Sequence, residues 1–333
     1  MLKYLESRTS GKVRWRLLAG VLALILVASA GLLLGSRGVI LPSSAGLERD
    51  LLLSLRLPRV MAAFTVGCGL GAAGLLAQAV TRNPLADPGL LGVASGALLG
   101  AVLVRTTWGL NGAQLAWPSI LGALMATGVV LAAANRHRTS GSPLPLILVG
   151  MALNAVLGGL VAFITLSNPV AFTTLRYWLV GSLAGRSTEV TLLAVVLMIP
   201  ALIAVPLLGR QLDVMALGPD RASSLGAQPR WILAMAAVLI AWLAGVATAL
   251  AGPVAFVGLA APHLTRAVMR SPNHLPLAVA VMATGAGLVT LADMVGRLAA
   301  SPGEVSVSIV CAVIGAPVLI VVGLRGRLHR IQK

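Results

Sequence analysis

The chain has little that would hold it in water. Of its 333 residues only 10% are charged and 4% aromatic, with nine Asp and Glu, two Cys and four His. Hydrophobic residues make up 58% and the mean hydropathy is +0.97, so polar side chains cannot cover a soluble globule of this length. The solvent is therefore lipid. Scarce aromatics and dispersed charges also exclude a nucleic-acid binder, which concentrates basic residues on one soluble face beside rings that stack on bases. The net charge of +16 suits anionic headgroups instead. Cys68 and Cys311 lie inside apolar stretches, where they pack as small apolar groups. His137, His263, His274 and His329 are far apart and supply no metal-ligand spacing. A Gly-x-x-x-x-Gly-Lys-Ser/Thr phosphate loop is missing, since Gly11-Lys12 is an isolated dipeptide in a basic terminus. Catalysis has no constellation here, and any driving energy must come from elsewhere.

What is present is a series of apolar runs. Each is long enough to cross a hydrocarbon core about 30 Å thick as a helix, and their continuity argues against barrel strands. The spans read Leu17–Gly35, Leu57–Val80, Gly89–Arg105, Leu115–Ala134, Leu144–Leu166, Val190–Leu208, Arg230–Leu250, Pro253–Met269, Pro276–Gly296 and Val305–Leu324. Only Ala251-Gly252-Pro253 separates the seventh from the eighth, so hydropathy alone accepts nine or ten. Lys12, Arg14 and Arg16 before the first span mimic a signal peptide, but no small-residue cleavage site with a mature soluble domain follows, and the span is read as retained.

Placing both ends in the cytoplasm puts 17 of the 25 Lys and Arg on the inner side and eight outside. That asymmetry predicts an N-in, C-in topology. Ionisable residues at span centres would mark an ion-coupled carrier, and none is placed there, which favours a separate ATPase as the engine. Small residues such as Gly67, Gly71, Gly74, Gly285 and Gly287 let helix backbones approach closely.

Three segments break the apolar pattern. Thr81-Arg82-Asn83-Pro84-Leu-Ala-Asp87-Pro88-Gly-Leu-Leu-Gly92-Val is a turn, because two prolines four apart forbid a continuous helix. Arg56-Leu-Pro-Arg59 precedes it and Gly258-Leu-Ala-Ala-Pro262-His263-Leu-Thr-Arg266 follows. Together they resemble the FecCD/BtuC-type permease family, which imports iron-siderophore complexes, haem and cobalamin through ABC transporters, and the resemblance runs from about Leu17 to Leu324. It implies an all-α polytopic protein of about ten transmembrane helices with an inverted repeat, one permease domain over residues 1–333, and an inner-membrane location. Residues 1–16 would be a cytoplasmic lead and residues 213–229 a cytoplasmic coupling segment. The rough echo of Pro88–Val93 in Pro253–Leu259 is consistent with such a repeat.

Site residues follow from the same resemblance. Arg56 and Arg59 share a helix face, and with Arg297 they are expected to pair with acidic residues of a periplasmic or lipid-anchored solute-binding protein, as bidentate guanidinium–carboxylate contacts allow. Snorkelling, or an internal pair of Arg297 with Asp293, is the alternative. Leu217, Gly218, Asp220, Arg221, Ala222, Leu225 and Gly226 are expected to couple to an ATPase, with Pro219 opening a short helix, Gly226 closing it, and Leu217, Ala222 and Leu225 on one face. Arg82, Asn83, Pro84, Asp87, Pro88, Pro262, His263 and Arg266 form the inner-loop motif, with His263 shaping a turn. Asn154, Thr165, Ser167 and Asn168 are candidates for the wall or outer gate of a path between two permease subunits, although Asn154 suits an interhelical hydrogen bond equally well. The implied partners are ABC ATPase subunits, a second permease subunit (identical or paralogous) and the lipid membrane. No cofactor is expected on this chain, and ATP and Mg belong to the ATPase.

Leu175-Arg-Tyr-Trp178-Leu-Val-Gly-Ser182-Leu and Gly315-Ala-Pro-Val-Leu319 look most like the ferric-enterobactin permease subgroup. A ferric siderophore is the expected cargo, with haem or cobalamin as alternatives. An ion-coupled secondary carrier is the reading of a different class.

Overall fold

Helices dominate the computed structural model, which describes residues 20, 22–35, 38–39, 47–110, 112–136, 144–168, 172, 180–269, 273–300 and 303–317. In chain order the helices are α1 Leu22–Leu33, α2 Leu57–Thr81, α3 Val93–Trp108, α4 Ala116–Arg136, α5 Leu144–Ser167 and α6 Thr188–Leu207. They continue as α7 Gly209–Ala216, α8 Pro219–Ser224, α9 Pro229–Ala251, α10 Val257–Val268, α11 His274–Ala299 and α12 Val307–Pro317. A short helical turn, Leu47–Leu51, and a π turn, Leu52–Arg56, lead into α2, and a hairpin pairs the two-residue strands β1 Leu34–Gly35 and β2 Gly38–Val39.

Six helical stretches are long and apolar enough to cross a membrane: Arg49–Thr81, Gly112–Ala133, Leu148–Ser167, Thr188–Leu207, Pro229–Ala251 and His274–Ala299. Shorter apolar helices occupy Leu22–Leu33, Val93–Trp108 and Val307–Pro317. The span expected over Pro253–Met269 shortens to α10, whose 12 residues rise only about 18 Å. Gly252 (φ 74°) and Phe256 (φ 67°) take left-handed conformations and keep Pro253–Ala255 out of a helix. The N-terminal basic residues, His137, His329, residues 173–179 and the end of the tenth expected span lie outside the described residues.

Helix α2 is the centre of the bundle. Its most apolar window is 89% buried, against 17% for α5, which lies at the periphery. Lipid tails are as apolar as leucine, so helices associate here through close packing rather than hydrophobic exclusion. The α2 sequence provides for it. A Cβ at Gly67 would overlap the Gly285 carbonyl of α11, and one at Gly74 would overlap the Gly258 carbonyl of α10. Ala62, Ala63, Ala72 and Ala73 are fully buried around these crossings.

The chain breaks after α2 and after α9 in a related way. Arg82 (φ 49°) ends α2 and Gly92 (φ 76°) starts α3; Gly252 ends α9 and Phe256 starts α10. A Cβ on Gly258 would lie 2.7 Å from Pro88 Cδ. The second break therefore returns the chain against the first.

Candidate functional site

Where α2 begins and α11 ends, five charged side chains interlock. Arg59 Nε donates to Asp293 Oδ1 and Oδ2 at 3.0 and 3.1 Å, and Arg59 Nη2 donates to Oδ1 at 2.9 Å. Its other face meets Glu304, with Nη1–Oε1 2.9 Å and Nη2–Oε2 2.8 Å. Arg297 Nε lies 3.1 Å from Asp293 Oδ2, and its Nη2 donates to the Gly31 carbonyl at 3.0 Å. Arg56 Nη1 donates to the Leu32 and Leu33 carbonyls at 2.9 and 2.7 Å. Arg56 and Arg297 thus satisfy carbonyls at the C-terminus of α1, which no helical amide reaches and which carry partial negative charge. The cluster ties α1, α2, α11 and the approach to α12 into one corner.

Of the three arginines expected to dock a binding protein, Arg297 is the most enclosed. Only 4% exposed, its guanidinium faces inward to Asp293, itself 3% exposed, and to α1. Arg56 and Arg59 keep partial exposure, but each already donates to acceptors within the chain. Glu304, which had no role assigned from the sequence, supplies the second carboxylate, so two acids and the α1 carbonyls face three arginines. Its signal was scarcity, as one of only nine acids in the chain.

The inner-loop motif is a folded break. Asn83 Oδ1 accepts from Leu85 N at 3.0 Å, and Asp87 Oδ1 accepts from Gly89 N at 2.8 Å, capping a single 3-10 turn over Pro88–Leu91. Burial pushes the Asp87 carboxyl above the ordinary aspartate range, and the Gly89 amide pulls it partly back. Pro84 is exposed, while Arg82 Nη2 reaches the Met215 carbonyl at 3.0 Å. Pro262, His263 and Arg266, grouped with the inner-loop motif, lie in helix α10 inside the expected eighth span. Proline is tolerated inside a membrane helix when neighbouring helices supply the packing. His263 Nδ1 contacts the Leu259 carbonyl at 2.8 Å, and Arg266 Nη1 donates to Gln78 Oε1 at 2.6 Å.

Asn154 holds this break from α5. Its Nδ2 donates to the Gly89 carbonyl at 2.7 Å, and its Oδ1 accepts from Ser95 Oγ at 2.8 Å, so it acts as an interhelical hydrogen-bonding group. Thr165 is 4% exposed and its hydroxyl donates back to the Val161 carbonyl at 2.7 Å. Ser167 is exposed at the end of α5, and Asn168 follows with its amide donating to the Thr165 carbonyl at 3.4 Å.

The coupling segment contains α8 between two glycine turns. Gly218 (φ 112°, ψ 147°) precedes Pro219 in a conformation closed to side chains. At the exit Gly226 (φ 82°) donates to the Ser223 carbonyl at 3.0 Å and Ala227 to the Ala222 carbonyl at 3.0 Å, a paired helix-stop motif. Asp220 and Arg221 are exposed. The shared face expected for Leu217, Ala222 and Leu225 does not form: Ala222 is fully buried, while Leu217 and Leu225 are 53% and 66% exposed. Both leucines lie outside the six-residue helix, so helical spacing does not relate them. Asp213, on α7, anchors the segment by accepting at Oδ1 from His274 N at 3.0 Å and meeting His274 Nδ1 at 2.5 Å. Among the described residues no group of three or more His, Cys, Asp or Glu is arranged to hold a metal.

The sequence profile of the FecCD transport family matches residues 17–325. The chain belongs to this family. It is 42% identical over 317 residues to the ferric enterobactin transport system permease protein FepD of Escherichia coli K12, covering 90% of this chain and 92% of that one. The probable siderophore transport system permease protein YfiZ of Bacillus subtilis is 34% identical over 84% of each chain, and the vitamin B12 import permease BtuC of Vibrio cholerae 36% identical over 83% of each. Among solved structures, an inward-facing metal-chelate type ABC transporter superposes with a TM-score of 0.84 at 29% identity, covering 93% of this chain and 98% of that one. FecCD membership makes the chain a permease subunit of a type II ABC importer, a multi-pass membrane protein that is not itself catalytic.

Proposed function

We propose that this chain is the permease through which a binding-protein-dependent importer carries a ferric siderophore across the cytoplasmic membrane. The observation that carries the cargo assignment is the 42% identity to the ferric enterobactin permease along nine-tenths of the chain. In this reading the chain is one permease domain of ten spans with both ends cytoplasmic, built as an inverted repeat, and it pairs with a second permease subunit. A separate ATPase binds at residues 213–229, where α8 stands between glycine turns with Leu217 and Leu225 bare. ATP and Mg act in that subunit. The solute-binding protein docks at the opposite end, where an acidic side chain would compete with Glu304 for Arg59 and with α1 carbonyls for Arg56.

The test is uptake by proteoliposomes holding the permease, its copurifying ATPase and the solute-binding protein. Ferric enterobactin should accumulate only with ATP. Accumulation of cobalamin or haem in its place rejects the cargo, and accumulation with the permease alone rejects the ATPase.

A further inference from the structure

Two adjoining grooves of about 590 and 580 Å³ open where α6 ends and α9 begins, sharing Ala227, Gln228 and Trp231. Leu208, directly after α6, and Val214, Ile232 and Met235 line the first, so its floor is apolar. Trp231 is the third residue of α9 and is 58% exposed. Arg210 lies on the first groove and Arg230 on the second. Both guanidiniums are exposed, and among the described residues neither is paired with an acid.

The position of these residues fixes what they meet. Thr188–Leu207 and Pro229–Ala251 are membrane-crossing helices, so the residues at their joined ends lie at headgroup depth. A tryptophan there is an interfacial anchor, and unpaired arginines beside an apolar cleft between spans match an anionic headgroup over an acyl chain. The geometry points to a binding site for one anionic phospholipid, with its phosphate on Arg210 and Arg230 and an acyl chain laid along Trp231, Ile232 and Met235. The inner-leaflet assignment rests on the topology proposed above; the headgroup depth does not. A lipid seated here abuts Leu225 and Gly226, and so the base of the coupling segment.

Each arginine at an anionic surface contributes about 1 kcal/mol, so the pair should favour phosphatidylglycerol over phosphatidylcholine by about thirtyfold in association. The experiment places the full chain in nanodiscs of brominated phosphatidylglycerol diluted into phosphatidylcholine, or the converse, and reads tryptophan quenching. The part of the quenching lost in Trp231→Phe should show the preference for brominated phosphatidylglycerol. Arg210→Gln with Arg230→Gln should abolish that preference, and Arg210→Lys with Arg230→Lys should retain most of it. Equal quenching by the two lipids, or a preference that survives the glutamines, overturns the site. So does loss of the preference on adding millimolar inorganic phosphate, which would mark a simple anion site, or exclusion of lipid by the bound ATPase, which would mark a protein interface. No transport is measured, so failure of the cargo assignment leaves the result unaffected.

Discussion

Replacing Asp293 by Asn should be among the most damaging single changes outside the helix crossings. Asp293 accepts three hydrogen-bond contacts from Arg59 and lies 3.1 Å from Arg297 Nε, and it is 3% exposed. At an effective dielectric of about 20, two unit charges about 4 Å apart interact by about 4 kcal/mol. Asn keeps one carbonyl acceptor but turns an amide toward a guanidinium. Arg59 retains Glu304, whereas Arg297 loses its nearest carboxylate among the described residues. Breaking a buried pair by removing one partner costs about 3–5 kcal/mol, because the remaining charge stays buried. The expected fall in melting temperature is on the order of 5–10 °C in detergent, followed by tryptophan fluorescence. Adding Arg297→Met to Asp293→Asn should recover part of that loss, since the buried cation left beside Asn goes with it. Unchanged melting of Asp293→Asn, or additive losses in the double variant, would refute the claim that this carboxylate carries the balance of the corner.

Asn154→Ala should lower the melting temperature by a few degrees, because two interhelical bonds worth about 0.6–1.7 kcal/mol each are lost and the Gly89 carbonyl is left without that donor. Asp87→Ala should cost about 1 kcal/mol by removing the cap on Gly89, whereas Asp87→Asn preserves the acceptor. Because the folded-state affinity of Asp87 for its proton is raised, wild type should lose stability relative to Asp87→Asn as pH rises from about 4 through the raised native value, a trend that paired melts across pH would show. Gly74→Ala should prevent α2 and α10 from closing at Gly258, read as loss of folded protein on size-exclusion chromatography.

Much of this protein was legible in its sequence because lipid imposes simple rules. Apolar runs must become helices, and glycines within them mark close crossings, as Gly67 against Gly285 demonstrates. Local turn chemistry was equally readable: Pro84 and Pro88 stop α2, Pro219 opens α8 and Gly226 ends it. Sequence reading exceeded its reach where a long side chain had a choice of partner. Arg297 could have faced a docking protein or Asp293, and its spacing fits either. Likewise His263 reads as shaping a turn but lies in a helix, because α2 and α11 pack around α10 and tolerate its Pro262.

The sequence by itself determined that the chain is an all-α membrane protein and where its long apolar helices and the main breaks between them fall. Only the tertiary structure decided that three arginines meet at one corner, that the break at Pro88 meets Gly258, and that Asn154 holds that break in place. The physical reason is range. Hydropathy and turn propensity act within a few residues, whereas Arg59 and Asp293 are 234 residues apart and their contact exists only once α2 and α11 have packed.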